Sequence, residues 1–294
     1  MVSSHIMTQS SAADSESTWA GWLTVERAAY LGIALLALFV RFFNLGLHPL
    51  GAAEAHQALT AWQLAQGDSL GGMVSGVSPL LLSLNHVLFL LTLGSDTLAR
   101  ALPALAGTLL VLLPYGLRHE LGRRAALIGA LLLALSPTAV LFSRTVDGHS
   151  LALLGALLAL VAVTRNLAGA NPWAAWAGVG VAVALSSAAG GITGVLALLL
   201  GLVWFARGQI ANLSSRLRSL IQAAAGPAVL VFVLGATLLL TFWPGLGATA
   251  DLFGPVPYTP LTLPTSDLVA ISVVAVSLKR KKKKKREWSE RRTQ

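Results

Sequence analysis

The chain has 294 residues, 55% of them hydrophobic and 11% charged, with a mean hydropathy of +0.72 and no cysteine. A soluble domain of this length needs far more charge to cover its surface, so the composition leaves an integral membrane protein as the class. The formal charge of +9 does not signal nucleic acid: residues 1–278 hold eleven Arg, no Lys and ten acids, whereas residues 279–294 hold six Lys, four Arg and two Glu.

Residues 1–26 are rich in Ser and Thr and lack the basic-then-apolar order of a cleaved signal peptide, so a disordered lead is expected there. The first apolar span is predicted over Ala28–Phe43. After it comes "PLGAAEAHQALTAWQLAQG", with Ala55, Leu59, Trp62 and Leu64 at helical spacing and Gly67 as a stop. Glu54 falls in the first turn of that helix, where the dipole favours a carboxylate. The next apolar segment, Pro79–Leu93, rises about 22 Å at 1.5 Å per residue, short of a hydrocarbon core of about 30 Å. Further spans are predicted over Leu98–Leu117, Ala125–Leu141, His149–Thr164, Trp173–Ser187, Gly190–Phe205 and Ile221–Trp243. The run "AWAGVGVAVALSSAAGGITG" suits close helix packing in lipid.

The lysine run Lys281–Lys285 follows a body without lysine, and "YTPLTLPT" and "ISVVAVSL" resemble translated sequencing-library adapters. Residues 256–294 are therefore expected to be read-through, with residues 27–255 as a membrane domain cut short. The alternative is a basic juxtamembrane tail that binds anionic membrane lipid.

Loop charge sets the expected topology, because arginine is retained on the cytoplasmic side. If Pro79–Leu93 lies along the interface, Arg27, the Arg118/Arg123/Arg124 cluster, Arg165 and the Arg207/Arg216/Arg218 cluster all fall inside. The expected fold is all-α and polytopic, with about seven transmembrane helices, a cytoplasmic N-terminus and interfacial helices in the first outer loop.

The outer side then receives Glu54, His56, Asp68, His86 and Asp96, together with the turn "FSRTVDGHS" carrying Arg144, Asp147 and His149. On spacing alone, an amphipathic interfacial helix and a solvated turn account for both stretches. The functional alternative brings Glu54 and Asp147 into one outer cavity. There they hold a divalent cation (Mg or Mn) against a phosphate, or one acts as general base toward an acceptor hydroxyl. Arg41, Arg100 and Arg144, all near the outer face against the charge rule, are the expected phosphate partners. No phosphate-binding glycine loop, HExxH or nucleophile elbow competes.

Taken in order, "VRFFNLGLHPL", "AEAHQALTAWQLAQG", "SPLLLSLNHVLFLLTLGSDTLARALPAL" and "LFSRTVDGHSLALLGALLALV" resemble the N-terminal half of the GT-C membrane glycosyltransferases. The likeness is to the protein O-mannosyltransferase, aminoarabinose transferase and RgtA/B/C/D-like group. It covers about Tyr30–Val163.

The resemblance implies transfer of a sugar from a polyprenyl-phosphate carrier to a glycan, lipid or protein acceptor on the outer face of the plasma (inner) membrane. It implies catalytic or metal-linked carboxylates at Glu54 and Asp147 and matches Arg100 to the family's Arg before the next span; beside these, Arg41, His56, Arg144 and His149 are expected substrate contacts. Where the family carries the Asp of an Asp-Glu-Ala motif, this chain has Ala53, and Ser78 stands where His or Gly is common. A non-catalytic relative that binds lipid-linked sugar or assists its flipping is the alternative.

Overall fold

A computed structural model describes residues 25–67, 77–92, 94–167, 172–206 and 210–237, with Gly169 and Thr249. Of the lead expected over residues 1–26, residues 1–24 lie outside the described residues, as do Asp68 and the tail 256–294, while Val25 and Glu26 open the first helix. Among those described, the ordered elements are all helical: α1 (Val25–Phe42), α2 (Ala52–Ala65), α3 (Pro79–Leu91), α4 (Asp96–Leu112), a 3-10 turn (Leu113–Leu117), α5 (Arg118–Leu121), α6 (Arg123–Leu135), α7 (Pro137–Ser143), α8 (His149–Leu167), α9 (Trp173–Ser187), α10 (Gly190–Ala206) and α11 (Ile210–Ala236).

Large apolar side chains cover the outside. Leu31, Leu35 and Phe39, one helical turn apart on α1, are 56–60% exposed, and α10 and α11 turn Leu200 and Leu230 outward. In water such a surface would aggregate; in lipid it is the solvent-facing side. By length and composition, Asp96–Leu121, His149–Leu167 and Arg218–Ala236 are each long and apolar enough to cross a membrane. The bent pair α6–α7 makes a fourth if taken as one span, and α3, α9 and the apolar part of α10 are shorter apolar helices.

The helices sort charge to two ends. At one end Glu26, at the start of α1, faces Arg118 and Arg123 at 3.8 Å each, and Arg165 Nε donates to the Gly116 carbonyl at 3.1 Å. The Arg118 and Arg165 guanidinium groups lie over the rings of Tyr115 and Trp173. At the opposite end sit α2, α3 and the α7–α8 turn. Helix α3 has 13 residues, a rise of about 20 Å. Its start is tied to Gln57 of α2, and Asn85 near its middle donates to Ala99 at the head of α4.

One expected span is corrected. Ala125–Leu141 does not run as a single helix: it breaks at Ser136–Pro137, and α6 and α7 meet at 58°. Proline at 137 has no N–H and clashes with the preceding turn, which ends α6.

Small residues let α8 and α9 approach at backbone distance. A Cβ on Gly180 would lie 2.6 Å from the Ala159 nitrogen and 2.7 Å from the Gly155 carbonyl oxygen, neither of which can swing aside. Replacing Gly180 with Leu should therefore lower stability in detergent by about 3 kcal/mol or more, as overpacking of main chain against main chain does. Gly201→Ala, where nothing lies within 4 Å, should leave the thermal midpoint unchanged. Equal midpoints for the two variants would contradict this packing.

Candidate functional site

Glu54 is the hub of the α2/α3 end. It closes the N-terminus of α2 by accepting from the Gly51 N–H at 2.9 Å, the reciprocal half of a capping box. The same carboxylate accepts from Arg100 Nε at 3.2 Å and Nη2 at 2.9 Å, and from the Val146 N–H at 2.8 Å. Arg100 in turn donates to the carbonyls of Leu45, His48 and Pro49, so all five of its N–H groups are spent. With side chains only 6% and 15% exposed, this is a buried bidentate pair that ties three separate stretches of chain together. Burial pushes the Glu54 carboxyl up, but the hydrogen bonds from Arg100, Gly51 and Val146 and the Arg100 charge outweigh it and hold the group below its usual value.

The Val146 bond sets Asp147 beside this hub. The Asp147 carboxylate meets His149 Nδ1 at 2.6 Å and faces the N–H groups of Gly148 and His149 at the head of α8. Burial raises the Asp147 pKa, and the contacts with His149 and Gly148 more than reverse this, leaving the group ionised below the ordinary carboxylate range. Asp147 and His149 remain 39% and 48% exposed on their side chains, in contrast to Glu54. The Phe142 ring stacks on the His149 ring, centroids 5.0 Å apart.

The three arginines at the α2/α3 end serve carbonyls. Arg100 has no donor left for a phosphate. Arg41 is fully buried and donates to Ala37, Leu133 and Ala134, so the expectation of an accessible phosphate contact there is not met. Arg144 caps the end of α1 through Val40 at 2.7 Å and Asn44 at 3.3 Å, but it is only half-buried and its Nε takes no part in the bonds described. Asn44 sits at φ 52°, the left-handed conformation that ends a helix. His56 is exposed on the side of α2 away from Gln57, Ala58 and Ala61, and Ala53 shares that exposure.

A shared divalent cation does not fit this donor set. Each Glu54 oxygen already accepts two hydrogen bonds, and one of its donors is an arginine that a metal would have to displace. Among the described residues no group of three or more His, Asp or Glu side chains is arranged for a metal.

Two functional positions carry no motif. Gln57 locks α2 to the head of α3 by accepting from the Ser78 N–H at 2.8 Å and donating to the Ser78 carbonyl at 3.0 Å. Gly148 lies so close to the Ser187 carbonyl and Ser78 Oγ that any Cβ would strike both. The spacing of Gln57 one turn after Glu54 is a usable local signal. The need for glycine at 148 comes from α9, about forty residues away, and leaves none.

An apolar helical bundle with Glu54, Asp147, His149 and three buried or half-buried arginines gathered at one end is an integral membrane protein with a polar cluster at that end. Residues 77–235, more than half of the chain, match the sequence model of the dolichyl-phosphate-mannose-protein mannosyltransferase family, and the chain belongs to that family. It is thus a GT-C-type glycosyltransferase-like membrane protein. The matched region holds Arg100, Arg144, Asp147 and His149, whereas Arg41, Glu54 and His56 precede it. No curated protein and no solved structure matches the chain.

Removing one partner of a buried pair leaves the other charge uncompensated, at a cost of about 3–5 kcal/mol. Glu54→Gln and Arg100→Gln should each destabilise the protein on this scale in a denaturant titration, and the double variant should cost much less than their sum. Additive losses would show that the pair is not coupled. Because the folded Glu54 pKa is depressed, its contribution is present above the unfolded carboxylate value of about 4.3 and is lost as pH falls through the lower folded value. That acid-dependent loss should be missing in Glu54→Gln.

Proposed function

We propose that the protein transfers a sugar from a polyprenyl-phosphate carrier to a glycan, lipid or protein acceptor at the outer face of the plasma membrane, with Asp147 as the reacting carboxylate. The observation that carries the assignment is the contrast between the two acids. Glu54 has every acceptor site occupied, while Asp147 is ionised, partly exposed and held at a membrane boundary. The distribution of arginine supports the sidedness: the Glu26 end gathers the Arg118, Arg123 and Arg165 cations expected in the cytoplasm.

In this reading the acceptor hydroxyl oxygen attacks the anomeric carbon of the carrier-bound sugar. The bond from that carbon to the phosphate oxygen breaks, and its electron pair leaves with the polyprenyl phosphate. The hydroxyl proton passes to the Asp147 carboxylate, and displacement from the far side inverts the anomeric centre. His149 orients Asp147 through the 2.6 Å contact. Arg144, half-buried with its Nε outside the described bonds, is the phosphate contact. Glu54 and Arg100 act as the frame that positions the turn.

Ala53 supports a second reading, a relative that binds the lipid-linked sugar or assists its flipping without transfer. It places a neutral methyl on the exposed side of α2 where the resemblance implies an Asp.

The test uses purified protein with a polyprenyl-phosphate sugar and a panel of acceptors. Asp147→Asn should lower transfer by about 10²-fold or more at unchanged thermal stability, the scale of a lost general base. Arg144→Gln should raise KM for the carrier by about tenfold, the loss of one charge-assisted contact. Transfer that survives Asp147→Asn undiminished would remove Asp147 from the chemistry. Carrier binding without transfer to any acceptor would favour the second reading.

A further inference from the structure

Arg41 is the most buried charge among the described residues, with no exposed area and no acid among its described partners. Its setting explains why a cation is kept there. Pro137 has no N–H, so the Leu133 carbonyl four residues earlier cannot receive its normal helical bond. Arg41 Nη2 donates to that carbonyl at 3.1 Å, and Nη1 donates to the next one, Ala134, at 3.4 Å. In a lipid-embedded bundle a proline break is tolerated only when neighbouring groups satisfy the carbonyls it frees. Here the neighbour is a side chain of α1.

The return contact comes from the other side of the break. Helix α7 leads directly into Arg144, which donates back to Val40 and Asn44 at the end of α1. Arg41 and Arg144 therefore stitch α1 to the two limbs of the bent α6–α7 pair, one on each side of the 58° bend. Gly107 of α4 makes this possible, since a Cβ there would meet Ser143 and come within 2.9 Å of Arg41 Nε. Beyond the second stitch stand Val146, bound to Glu54, and Asp147.

We propose that Arg41 is a positioning residue that fixes the bend at Pro137 and, through it, the location of the Asp147 turn. The bend stands on geometry alone; its consequence for transfer rests on the reading of Asp147 given above.

The chain has no cysteine, so nitroxide labels can be placed at Ile128→Cys on α6 and Leu141→Cys on α7, both exposed, in the otherwise native protein. The distance between labels is then read by dipolar EPR, and transfer kinetics are measured on the unlabelled variants. With Arg41 intact, a single narrow distance is expected. Arg41→Gln should broaden or lengthen it, and should lower kcat by about tenfold or more with KM for the carrier little changed. Pro137→Ala restores an N–H to the Leu133 carbonyl, so the Arg41→Gln/Pro137→Ala variant should return to a single narrow distance.

An unchanged distance in Arg41→Gln would overturn the inference. A changed distance with unchanged kcat would remove the positioning role while leaving the transfer reading intact. If the wild-type protein transfers nothing, the transfer reading fails, and the distances still decide the role of Arg41 at the bend. Should Arg41→Gln alone not accumulate, the double variant decides: its accumulation supports the inference, and its failure overturns it.

Discussion

The buried pair of Glu54 and Arg100 is the constraint on which the rest of the α2/α3 end depends. Three stretches distant in sequence meet there: the loop from Leu45 to the head of α2 at Gly51, the first turns of α4, and the main chain at Val146. None of these stretches could hold its own polar groups next to lipid. The loop carbonyls need donors, the Val146 N–H needs an acceptor, and one carboxylate–guanidinium pair supplies both. A charge pair in this position contributes less by Coulomb attraction than by the number of main-chain groups it satisfies at once.

The same economy recurs in the other arginines at this end. Arg144 closes the carbonyls at the end of α1, and Arg41 closes those freed by Pro137. The three arginines at this end thus have a common physical reason. A helix that ends or breaks near lipid leaves acceptors without donors, and arginine offers five N–H groups on one rigid fork. In Arg100 this use absorbs every N–H group, and in Arg41 both terminal nitrogens, with its Nε buried without a partner. In Arg144 it leaves part of the guanidinium for another partner, so chemistry and capping coexist there.

Much of the helical layout was legible in the sequence because apolar run length is set by the bilayer. The predicted Trp173–Ser187 has the bounds of α9, and the short apolar run Pro79–Leu93 appears as the 13-residue helix α3. The break at Pro137 was missed because the apolar run continues through it, although the proline itself was in view. At the site, the positions of Glu54 and Asp147 could be read, but their division of labour could not. It depends on Arg100 and Val146, 46 and 92 residues from Glu54, and no local pattern announces partners at that separation. Gly148 stayed hidden for the same reason: what it touches lies on α9 and at the head of α3.

A fully engaged acid and a partly exposed acid are neighbours at this end of the molecule through a single backbone bond. The chain that carries them belongs to the dolichyl-phosphate-mannose-protein mannosyltransferase family. The most direct test of the account is residue-resolved hydrogen–deuterium exchange at the Val146 amide in the folded protein. Slow exchange that becomes fast in Glu54→Gln is the result expected if Glu54 holds the Asp147 turn. Fast exchange in the unaltered protein, or slow exchange that persists without the carboxylate, would contradict it.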